Sequence, residues 1–246
     1  MFDYTGRKAL ITGAGQGVGL GIATALAQQG ACVLINDIVA ARATQAASAL
    51  QAQGFKAEAL SFDVTDRQEV ERAIHGYKDT IDILINNAGN AGDTAMPQMP
   101  FAEMPSELIE RFIDINLQGV IHCTQAVLTG MQQQQWGRII TVSSDAGRVG
   151  LSIGVSAYGA AKAGATSLMR HLSQEVGKHN ITANSISLGL MNNVPDEFTA
   201  TLIRTIPTGR LGTPEDAGAM CVFLGSEESA WMTGQTLVLN GGSTAC

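Results

Sequence analysis

Tyr158 and Lys162 are four residues apart in a stretch that is predicted to form one long helix over 156–178. Side chains at positions i and i+4 lie on the same face of a helix, so the phenol and the ammonium are expected to lie side by side. A cation beside a phenol stabilises the phenolate and lowers the pKa of the tyrosine from about 10. A tyrosine of this kind can transfer a proton near neutral pH, so the pair predicts general acid–base chemistry.

The composition predicts a folded, acidic protein. The chain has 246 residues, of which 45% are hydrophobic and 15% charged, and this favours a compact fold over disorder. Its formal net charge is −7 and it contains no cluster of Lys or Arg, so nucleic acid and anionic membranes are poor candidates for partners. No apolar run reaches the ~18 residues of a membrane span, and residues 1–8 lack the pattern of a secretion signal. We therefore expect a cytoplasmic protein.

No metal site is predicted. The cysteines form no CxxC pair, and no histidine completes a zinc-binding spacing. Buried thiols in a reducing compartment are the favoured interpretation. The cysteines in question are Cys32, Cys123, Cys221 and Cys246.

Short apolar runs alternate with helical patterns along the whole chain. Because the runs are continuously apolar rather than alternating, they indicate a parallel sheet that is covered on both faces. The prediction is an α/β fold: a single doubly wound (Rossmann) domain over residues 1–246, with a central sheet of about seven strands and helices on both faces. The predicted strands are 8–12, 32–36, 57–62, 81–86, 138–142, 181–186 and 236–239, and the helices are 19–29, 40–53, 65–77, 106–133, 156–178 and one that begins at 213.

A glycine-rich turn connects the first predicted strand to the first helix. Gly13, Gly17 and Gly19 allow a tight turn, and they let the backbone approach a pyrophosphate at the helix N-terminus, where N–H groups are free. Glycines between a strand and a helix can also serve packing alone.

Two acidic residues follow the next two strands. Asp37 can accept hydrogen bonds from both ribose hydroxyls of an adenosine and would repel a 2′-phosphate, so NAD is expected to be preferred to NADP. No Arg or Lys stands at 36–38 or in the glycine turn to bind that phosphate. A solvated turn aspartate is the alternative. Asp63 could bind the adenine amino group, or it could cap a helix.

Several further motifs occur in a fixed order along the chain. They are Thr12-Gly-x-x-x-Gly17-x-Gly19, Asn86-Asn-Ala-Gly89, Asn116, Ser144, Tyr158-x-x-x-Lys162 and Gly234-Gln…Asn240-Gly-Gly242. Together they strongly resemble the short-chain dehydrogenase/reductase family over essentially the full length.

The resemblance implies a role for each of four residues. Tyr158 would be the general acid for carbonyl reduction and the general base for alcohol oxidation. Lys162 would lower the pKa of the tyrosine and bind the nicotinamide ribose, and Ser144 would hold the substrate oxygen. Ser143 is an adjacent competitor, but the Ser-x-x-Gly147 pattern favours Ser144. Asn116 would hold a water that connects Lys162 to solvent.

The resemblance also implies a set of residues around NAD(H). The segment 86–89 would support the centre of the sheet and line the cofactor pocket. The expected cofactor-binding residues are Gly13, Gln16, Gly17, Val18, Gly19, Asp37, Asp63, Val64, Asn87, Ala88, Gly89, Tyr158, Lys162, Gly189 and Met191.

The chain departs from the family pattern at three positions. Leu188 replaces the proline that usually precedes Gly189, Asn193 replaces a threonine that contacts the cofactor, and Asn240 replaces the aspartate of a late Asp-Gly-Gly motif. None of these changes removes a proton-transfer group.

Two segments are expected to form the substrate cleft. Residues 90–105 read as an irregular loop, and residues 190–207 as a mobile flap. Both are rich in apolar residues, so we expect a mainly hydrophobic ketone or secondary alcohol, although the same residues could pack against each other or against another subunit. The apolar residues are Met96, Met99, Phe101, Met104, Leu190, Met191, Val194, Phe198 and Leu202.

Two other functions stay open. One is a 3-oxoacyl thioester reductase or hydroxyacyl dehydrogenase, for which Arg148 could meet a phosphate or carboxylate; the glutamines at 132–135 and the net charge of −7 count against an acidic carrier protein. The other is a non-catalytic dinucleotide sensor or scaffold. Relatives of this kind typically lack the tyrosine or the lysine. The resemblance also implies a homo-oligomer, with a tetramer expected.

Overall fold

The computed structural model describes residues 2–90, 96–193 and 196–244. Within these residues a seven-stranded sheet forms, in the order β3-β2-β1-β4-β5-β6-β7, and every pairing in it is parallel. The predicted fold class is confirmed. The strands are β1 (Lys8–Ile11), β2 (Cys32–Ile35), β3 (Ala57–Ala59), β4 (Ile83–Asn86), β5 (Gly137–Ser144), β6 (Ile181–Leu188) and β7 (Thr236–Leu239).

Helices cover both faces of the sheet. The described helices are α1 (Gly17–Gln28), α2 (Ala40–Ala52), α3 (Arg67–His75), α4 (Ser106–Ile113), α5 (Gly119–Gln134), α6 (Ser156–Val176), α7 (Asp196–Ile203) and α8 (Pro214–Leu224). Helices α1, α2 and α8 share one apolar core with the sheet, and α3, α5 and α6 share the other.

Successive residues of each central strand enter opposite cores. Ile11 and Ile35 pack with α1, α2 and α8, whereas Leu10 and Leu34 pack with α3, α5 and α6. This is why the strands are apolar throughout rather than at alternate positions.

The order of the strands reverses between β1 and β4. From β1 the chain builds outward to β2 and β3, and from β4 it builds in the other direction. In an open parallel sheet this reversal creates a crevice at the carboxyl ends of the strands. Thr12, Asn86 and Ser144 end or follow β1, β4 and β5 at that edge.

Two predicted elements differ from the structure because side chains compete with the regular pattern. The strand predicted over 57–62 ends at Ala59, since the Asn36 side chain instead binds the carbonyls of Leu60 and Phe62 at 3.2 and 3.0 Å. The helix predicted over 65–77 begins only at Arg67, because the Asp66 carboxylate caps it.

The long helix predicted over 106–133 is interrupted in its middle. A π-helical turn, Asp114–Gln118, separates α4 from α5. Such turns often occur at functional sites, and this one contains Asn116. In the segment predicted to be a flap, α7 forms a helix that the sequence did not predict, while residues 194 and 195 lie outside the described residues.

No helix among the described residues is both long enough and apolar enough to span a bilayer. Those residues also contain no group of three or more His, Cys, Asp or Glu side chains that could hold a metal ion.

Candidate active site

Tyr158 and Lys162 lie in the first two turns of α6, on the face that packs against the sheet. Both are buried, with exposed fractions of 5% and 4%. The Lys162 Nζ atom lies 5.8 Å from the centroid of the Tyr158 ring. The i, i+4 spacing therefore brings the two side chains together as predicted.

The Lys162 ammonium is held inside the protein by a backbone carbonyl. Nζ donates a hydrogen bond to the carbonyl of Val142 in β5 at 2.8 Å. Burial disfavours the charged form and lowers the pKa of Lys162 to about 8. Gly89 leaves room for this arrangement, because a Cβ at that position would lie 2.9 Å from Nζ and 3.0 Å from Asn116 Oδ1.

The Ser144 side chain lies close enough to the Tyr158 hydroxyl to influence its pKa. The ring packs edge-on against Phe112, with the centroids 6.0 Å apart. Burial raises the pKa of Tyr158 above its ordinary value, and the Ser144 side chain opposes that rise. The direction is opposite to the predicted one, because the hydrocarbon around the phenol penalises the phenolate and Lys162 is directed at Val142.

The two adjacent serines at the end of β5 have different surroundings. Ser143 Oγ is buried and forms hydrogen bonds with the Lys162 carbonyl at 3.3 Å and with Thr166 Oγ1 at 3.2 Å. Ser144 Oγ instead faces Tyr158 and accepts a hydrogen bond from the Ala146 N–H at 3.2 Å. The geometry thus favours Ser144, which also serves as the cap of the turn that follows.

Asn116 is completely buried in the π-helical turn. Its Nδ2 donates to the carbonyls of Asn90 and Phe112, both at 2.9 Å, and its Oδ1 accepts from the Asn90 N–H at 3.1 Å. The amide therefore fixes the backbone just after the 86–89 segment. Its role in holding a water beside Lys162 stays a prediction.

The glycine-rich turn is bound to the same segment. Asn87 Nδ2 donates to the carbonyls of Thr12 and Gly13 at 2.8 and 3.1 Å. Thr12 Oγ1 accepts hydrogen bonds from the N–H groups of Asn87 and Ala88, both at 3.0 Å. These contacts place the predicted cofactor residues of two separate segments side by side.

The start of α1 fits a pyrophosphate. Gly13 and Gly17 have φ values of 62° and 56°, which favour glycine, and a Cβ on Gly17 would enter open space. Among the described residues no side chain caps the helix at Gln16, and its first turn contains no acid. The N–H groups of Gln16 to Gly19, including that of Val18, are therefore available to an anion.

Asp37 lies against the glycine turn, as the sequence predicts, but it is not alone there. Its Oδ2 is 2.5 Å from the position that a Cβ on Gly15 would take. Its Oδ1 accepts hydrogen bonds from the Val39 N–H at 2.9 Å and from Arg42 Nε and Nη2 at 3.1 and 2.8 Å. The sequence pattern did not predict this contact, because Arg42 lies in the first turn of α2, outside positions 36–38 and the glycine turn.

Asp63 holds the turn that precedes α3. Its Oδ1 accepts hydrogen bonds from both the N–H and the hydroxyl of Thr65 at 2.8 Å. The helix cap itself is Asp66. Val64 packs on the start of α5, where its carbonyl is 3.0 Å from His122 Nδ1. Contacts of Asp63 and Val64 with an adenine stay predictions.

Asn36 is a supporting residue that the sequence reasoning missed. Its Oδ1 accepts from the Gly13 N–H at 3.3 Å while its Nδ2 binds the segment after β3. A polar residue at the carboxyl end of an otherwise apolar strand was the available signal.

Gly189 and Met191 lie at the carboxyl end of β6. Gly189 N–H donates to the Leu239 carbonyl at 3.0 Å. Met191 is buried in the core around α1 and α8, so its side chain packs internally. Asn193 is exposed and Val194 lies outside the described residues.

The residue that follows Ser144 connects the site to the C-terminal segment. The buried Asp145 carboxylate accepts hydrogen bonds from Ser187 Oγ at 3.0 Å and from Asn240 Nδ2 at 2.8 Å. Thr244 Oγ1 donates to Asp145 at 3.4 Å and also accepts from Arg148 Nη2 at 2.5 Å. Arg148 lies 3.6 Å from Asp145 Oδ1. The hydrogen bond from Asn240 to Asp145 explains why an asparagine replaces the usual aspartate at position 240, since an aspartate there would set a second carboxylate against Asp145.

The loop predicted to line the substrate cleft packs against the start of α6. Met96 and Met99 contact an apolar cluster that includes Phe112, Val155 and Tyr158. The Met99 N–H also donates to the Gly154 carbonyl at 3.2 Å. The internal-packing alternative thus accounts for these methionines, whereas Phe101, Leu151, Ile153 and Leu190 stay exposed. Residues 91–95 lie outside the described residues.

Comparison with known proteins assigns the chain to a family. A family model described as enoyl-(acyl carrier protein) reductase matches residues 13–244. The chain is 35% identical over 252 residues to 5-keto-D-gluconate 5-reductase of Escherichia coli (strain K12), and the match covers 98% of this chain and 97% of that protein. The chain is an oxidoreductase that belongs to the short-chain dehydrogenase/reductase family.

Two solved structures share the fold closely. A gluconate 5-dehydrogenase from Burkholderia cenocepacia J2315, in complex with NADP and tartrate, has a TM-score of 0.92 and 30% identity, covering 100% of this chain and 98% of that one. A 3-oxoacyl-[acyl-carrier protein] reductase with bound NAD from Brucella melitensis has a TM-score of 0.93 and 31% identity, covering 99% and 93%.

Replacing Lys162 by Met is expected to stabilise the protein at pH 7 by about 1–3 kcal/mol. The Lys162 ammonium is charged at this pH in both the folded and the unfolded protein, and burial penalises the charge only in the folded protein. Between the folded pKa of about 8 and the ordinary 10.5, the unfolded chain binds the proton that the folded protein has lost. The stability of the unmodified protein should therefore rise towards that of the variant. Urea unfolding from pH 7 to pH 10.5 measures the difference in unfolding free energy between Lys162→Met and the unmodified protein. The control is Lys178→Met, at an exposed position, and a gap that does not close with pH would contradict the prediction.

Asn240→Asp is expected to destabilise the protein by about 1–3 kcal/mol at pH 7, because it opposes two carboxylates at hydrogen-bond distance. The exchange Asp145→Asn with Asn240→Asp restores one donor and one acceptor, so it should recover most of the loss. Thermal unfolding of the single and double variants measures both effects. A single variant as stable as the unmodified protein would show that the contact is unimportant.

Proposed function

We propose that the protein transfers a hydride between NAD(H) and a ketone or secondary alcohol, with Tyr158 as the general acid or base. The observation that carries this proposal is the convergence of the Tyr158 hydroxyl, the Ser144 hydroxyl and the Lys162 ammonium at the carboxyl edge of the sheet. In an open α/β sheet, ligands bind at this edge.

Each of the three groups has a distinct task. Ser144 Oγ and Tyr158 Oη would both hydrogen-bond the substrate oxygen, which polarises a carbonyl and positions it. Tyr158 Oη would donate its proton during reduction and accept one during oxidation. The nearby Lys162 ammonium would stabilise the phenolate that forms after donation. When bound, a nicotinamide supplies or accepts the hydride.

Asn116 would keep this arrangement in place. Its three hydrogen bonds hold Asn90 and the turn around Phe112, the residue on which the Tyr158 ring packs. We assign to it the further role of holding a water in a proton path from Lys162.

The cofactor proposal rests on the start of α1 and on Asp37. The open space at Gly17 and the uncapped helix N-terminus support binding of the pyrophosphate there, and Asp37, which lies against Gly15, would bind the adenosine ribose. The Asp37 carboxylate favours NAD(H) over NADP(H) because it would repel a 2′-phosphate. The similar structures include one complex with NADP and one with NAD.

The proposed substrate is a free small molecule, namely a mainly hydrophobic ketone or secondary alcohol. The apolar cluster around Tyr158 and the exposed Leu151, Ile153 and Leu190 supply apolar surface near the site. A keto sugar acid is a test substrate, since 5-keto-D-gluconate 5-reductase is similar to this chain.

A 3-oxoacyl thioester is the second candidate, favoured by the likeness to a 3-oxoacyl-[acyl-carrier protein] reductase. Against an acidic carrier stand the net charge of −7 and the use of Arg148 in contacts with Asp145 and Thr244. A non-catalytic sensor is disfavoured because both Tyr158 and Lys162 are present. Assembly into a homotetramer stays a prediction.

Tyr158→Phe is expected to lower turnover by at least about 10²-fold, because it removes the proton that is transferred but keeps the ring. Cofactor affinity should change little. Ketones, a keto sugar acid, an acetoacetyl thioester and secondary alcohols are assayed by nicotinamide absorbance, with NADH binding measured in parallel.

The matched control is Tyr77→Phe, whose hydroxyl bonds Glu58 at 3.3 Å. That variant should keep full turnover. Unchanged turnover in Tyr158→Phe, or loss of cofactor binding together with turnover, would contradict the assigned role.

A further inference from the structure

His122 holds the segment that follows β3 against helix α5. Its Nδ1 atom lies 3.0 Å from the Val64 carbonyl, and because a carbonyl only accepts, Nδ1 carries the hydrogen of this bond. Gly119 lies one turn earlier on the same face of α5, and a Cβ there would be 2.8 Å from Val64 Cγ2. The helix thus holds both the side chain and the carbonyl of Val64.

The Val64 N–H is a buried donor that its neighbours leave unused. The N–H of Asp63 donates to Glu69 Oε2 at 3.0 Å, and the N–H of Thr65 donates to Asp63 Oδ1 at 2.8 Å. For the Val64 N–H, which lies between them, the described residues provide no acceptor, although only 8% of Val64 is exposed. Buried N–H groups are nearly always paired, so this donor is available to a ligand or to a water molecule.

One side chain connects this segment to the glycine-rich turn. Asn36 Oδ1 accepts from the Gly13 N–H at 3.3 Å, and Asn36 Nδ2 donates to the Phe62 carbonyl at 3.0 Å. Since β1, β2 and β3 are successive neighbours in the sheet, the carboxyl end of β3 is the next one outward from Asp37. A nucleotide with its phosphates at the glycine turn and its ribose at Asp37 would present its base to this segment.

We propose that His122 is a positioning residue for recognition of the adenine base, and that it acts through Val64. The hydrogen bond from His122 fixes the peptide plane that follows Val64, while packing on Gly119 fixes the side chain. Together these contacts set the direction of the Val64 N–H, which donates to adenine N1. This inference rests on the proposed use of a nicotinamide dinucleotide, and it concerns only how the protein recognises the base.

The test compares two nucleotides that differ only in this base. NADH contains adenine, whose N1 accepts a hydrogen bond, whereas reduced nicotinamide hypoxanthine dinucleotide has a hydrogen on N1 and cannot accept there. Dissociation constants of both are measured by nucleotide fluorescence, without substrate. The unmodified protein should bind NADH about threefold to tenfold more tightly, which is the value of one hydrogen bond.

Two substitutions at position 122 separate the hydrogen bond from the shape of the side chain. His122→Leu removes the donor, so it is expected to weaken NADH binding by about threefold to tenfold and binding of the hypoxanthine analogue by less than about twofold. His122→Asn puts an amide N–H where Nδ1 lies, because both atoms are attached to Cγ. This variant should keep the affinity ratio of the unmodified protein within about twofold.

Gly119→Ala perturbs Val64 from the same helix without touching His122. The added methyl group would displace Val64, so the affinity ratio should fall towards one, although alanine favours the helix more than glycine does. Gly130→Ala is the matched control in α5, since its Cβ would meet Thr80 Cγ2 at 3.0 Å. That control should leave the ratio unchanged.

His75→Leu is the control for loss of a histidine contact between α3 and α5. His75 Nε2 lies 3.2 Å from the Ala126 carbonyl, away from the segment after β3, so both affinities should stay unchanged within about twofold.

The ratio of the two affinities decides the outcome. Equal binding of both nucleotides by the unmodified protein, or an unchanged ratio in His122→Leu, overturns the inference. Equal weakening of both nucleotides in His122→Leu and in Gly119→Ala also overturns it, because it assigns His122 to packing alone. Failure of the unmodified protein to bind either nucleotide instead overturns the proposed function on which the inference rests.

Discussion

The candidate site depends on one buried cation and the carbonyl that holds it. Lys162 Nζ lies 2.8 Å from the Val142 carbonyl and is almost inaccessible to solvent. An ammonium in such a place lowers stability unless hydrogen bonds compensate for its lost hydration. The contact fixes α6 relative to β5, and with it the Tyr158 phenol relative to Ser144. It also explains why a residue without a side chain is needed at Gly89, which borders Nζ.

Around this contact, side-chain amides and hydroxyls hold loop backbones at the carboxyl edge of the sheet. Asn36, Asn87 and Asn116 each bind backbone groups of a neighbouring segment through their amides. Buried backbone polar groups must be satisfied, and loops at a strand end cannot all do this through regular pairing. The same polar side chains therefore satisfy the backbone hydrogen-bonding groups of the loops and fix the positions of these loops at the edge of the sheet, where an anion and a carbonyl group could bind.

The sequence predicted the parts of this arrangement that depend on local pattern. The seven strands follow from continuous apolar runs, and the placement of Tyr158 beside Lys162 follows from their spacing. Sequence-based prediction failed where contacts between residues that are distant in the chain determine the structure. The π-helical turn contains Asn116, whose amide binds the backbone of Asn90 in a different segment of the chain. Arg42 reaches back to Asp37 from the first turn of a helix, so a search by position missed it. The raised pKa of Tyr158 reflects burial that no local pattern records.

The most direct test of the buried cation is a nitrogen-15 NMR titration of lysine side chains in the unmodified protein, with Lys162→Met used to assign the signal. The structure predicts that the Lys162 Nζ signal titrates with a midpoint near 8, the pKa that burial produces. A midpoint at the ordinary value of 10.5 would show that the ammonium is hydrated, and it would contradict the account of how the phenol and the hydroxyl are held together.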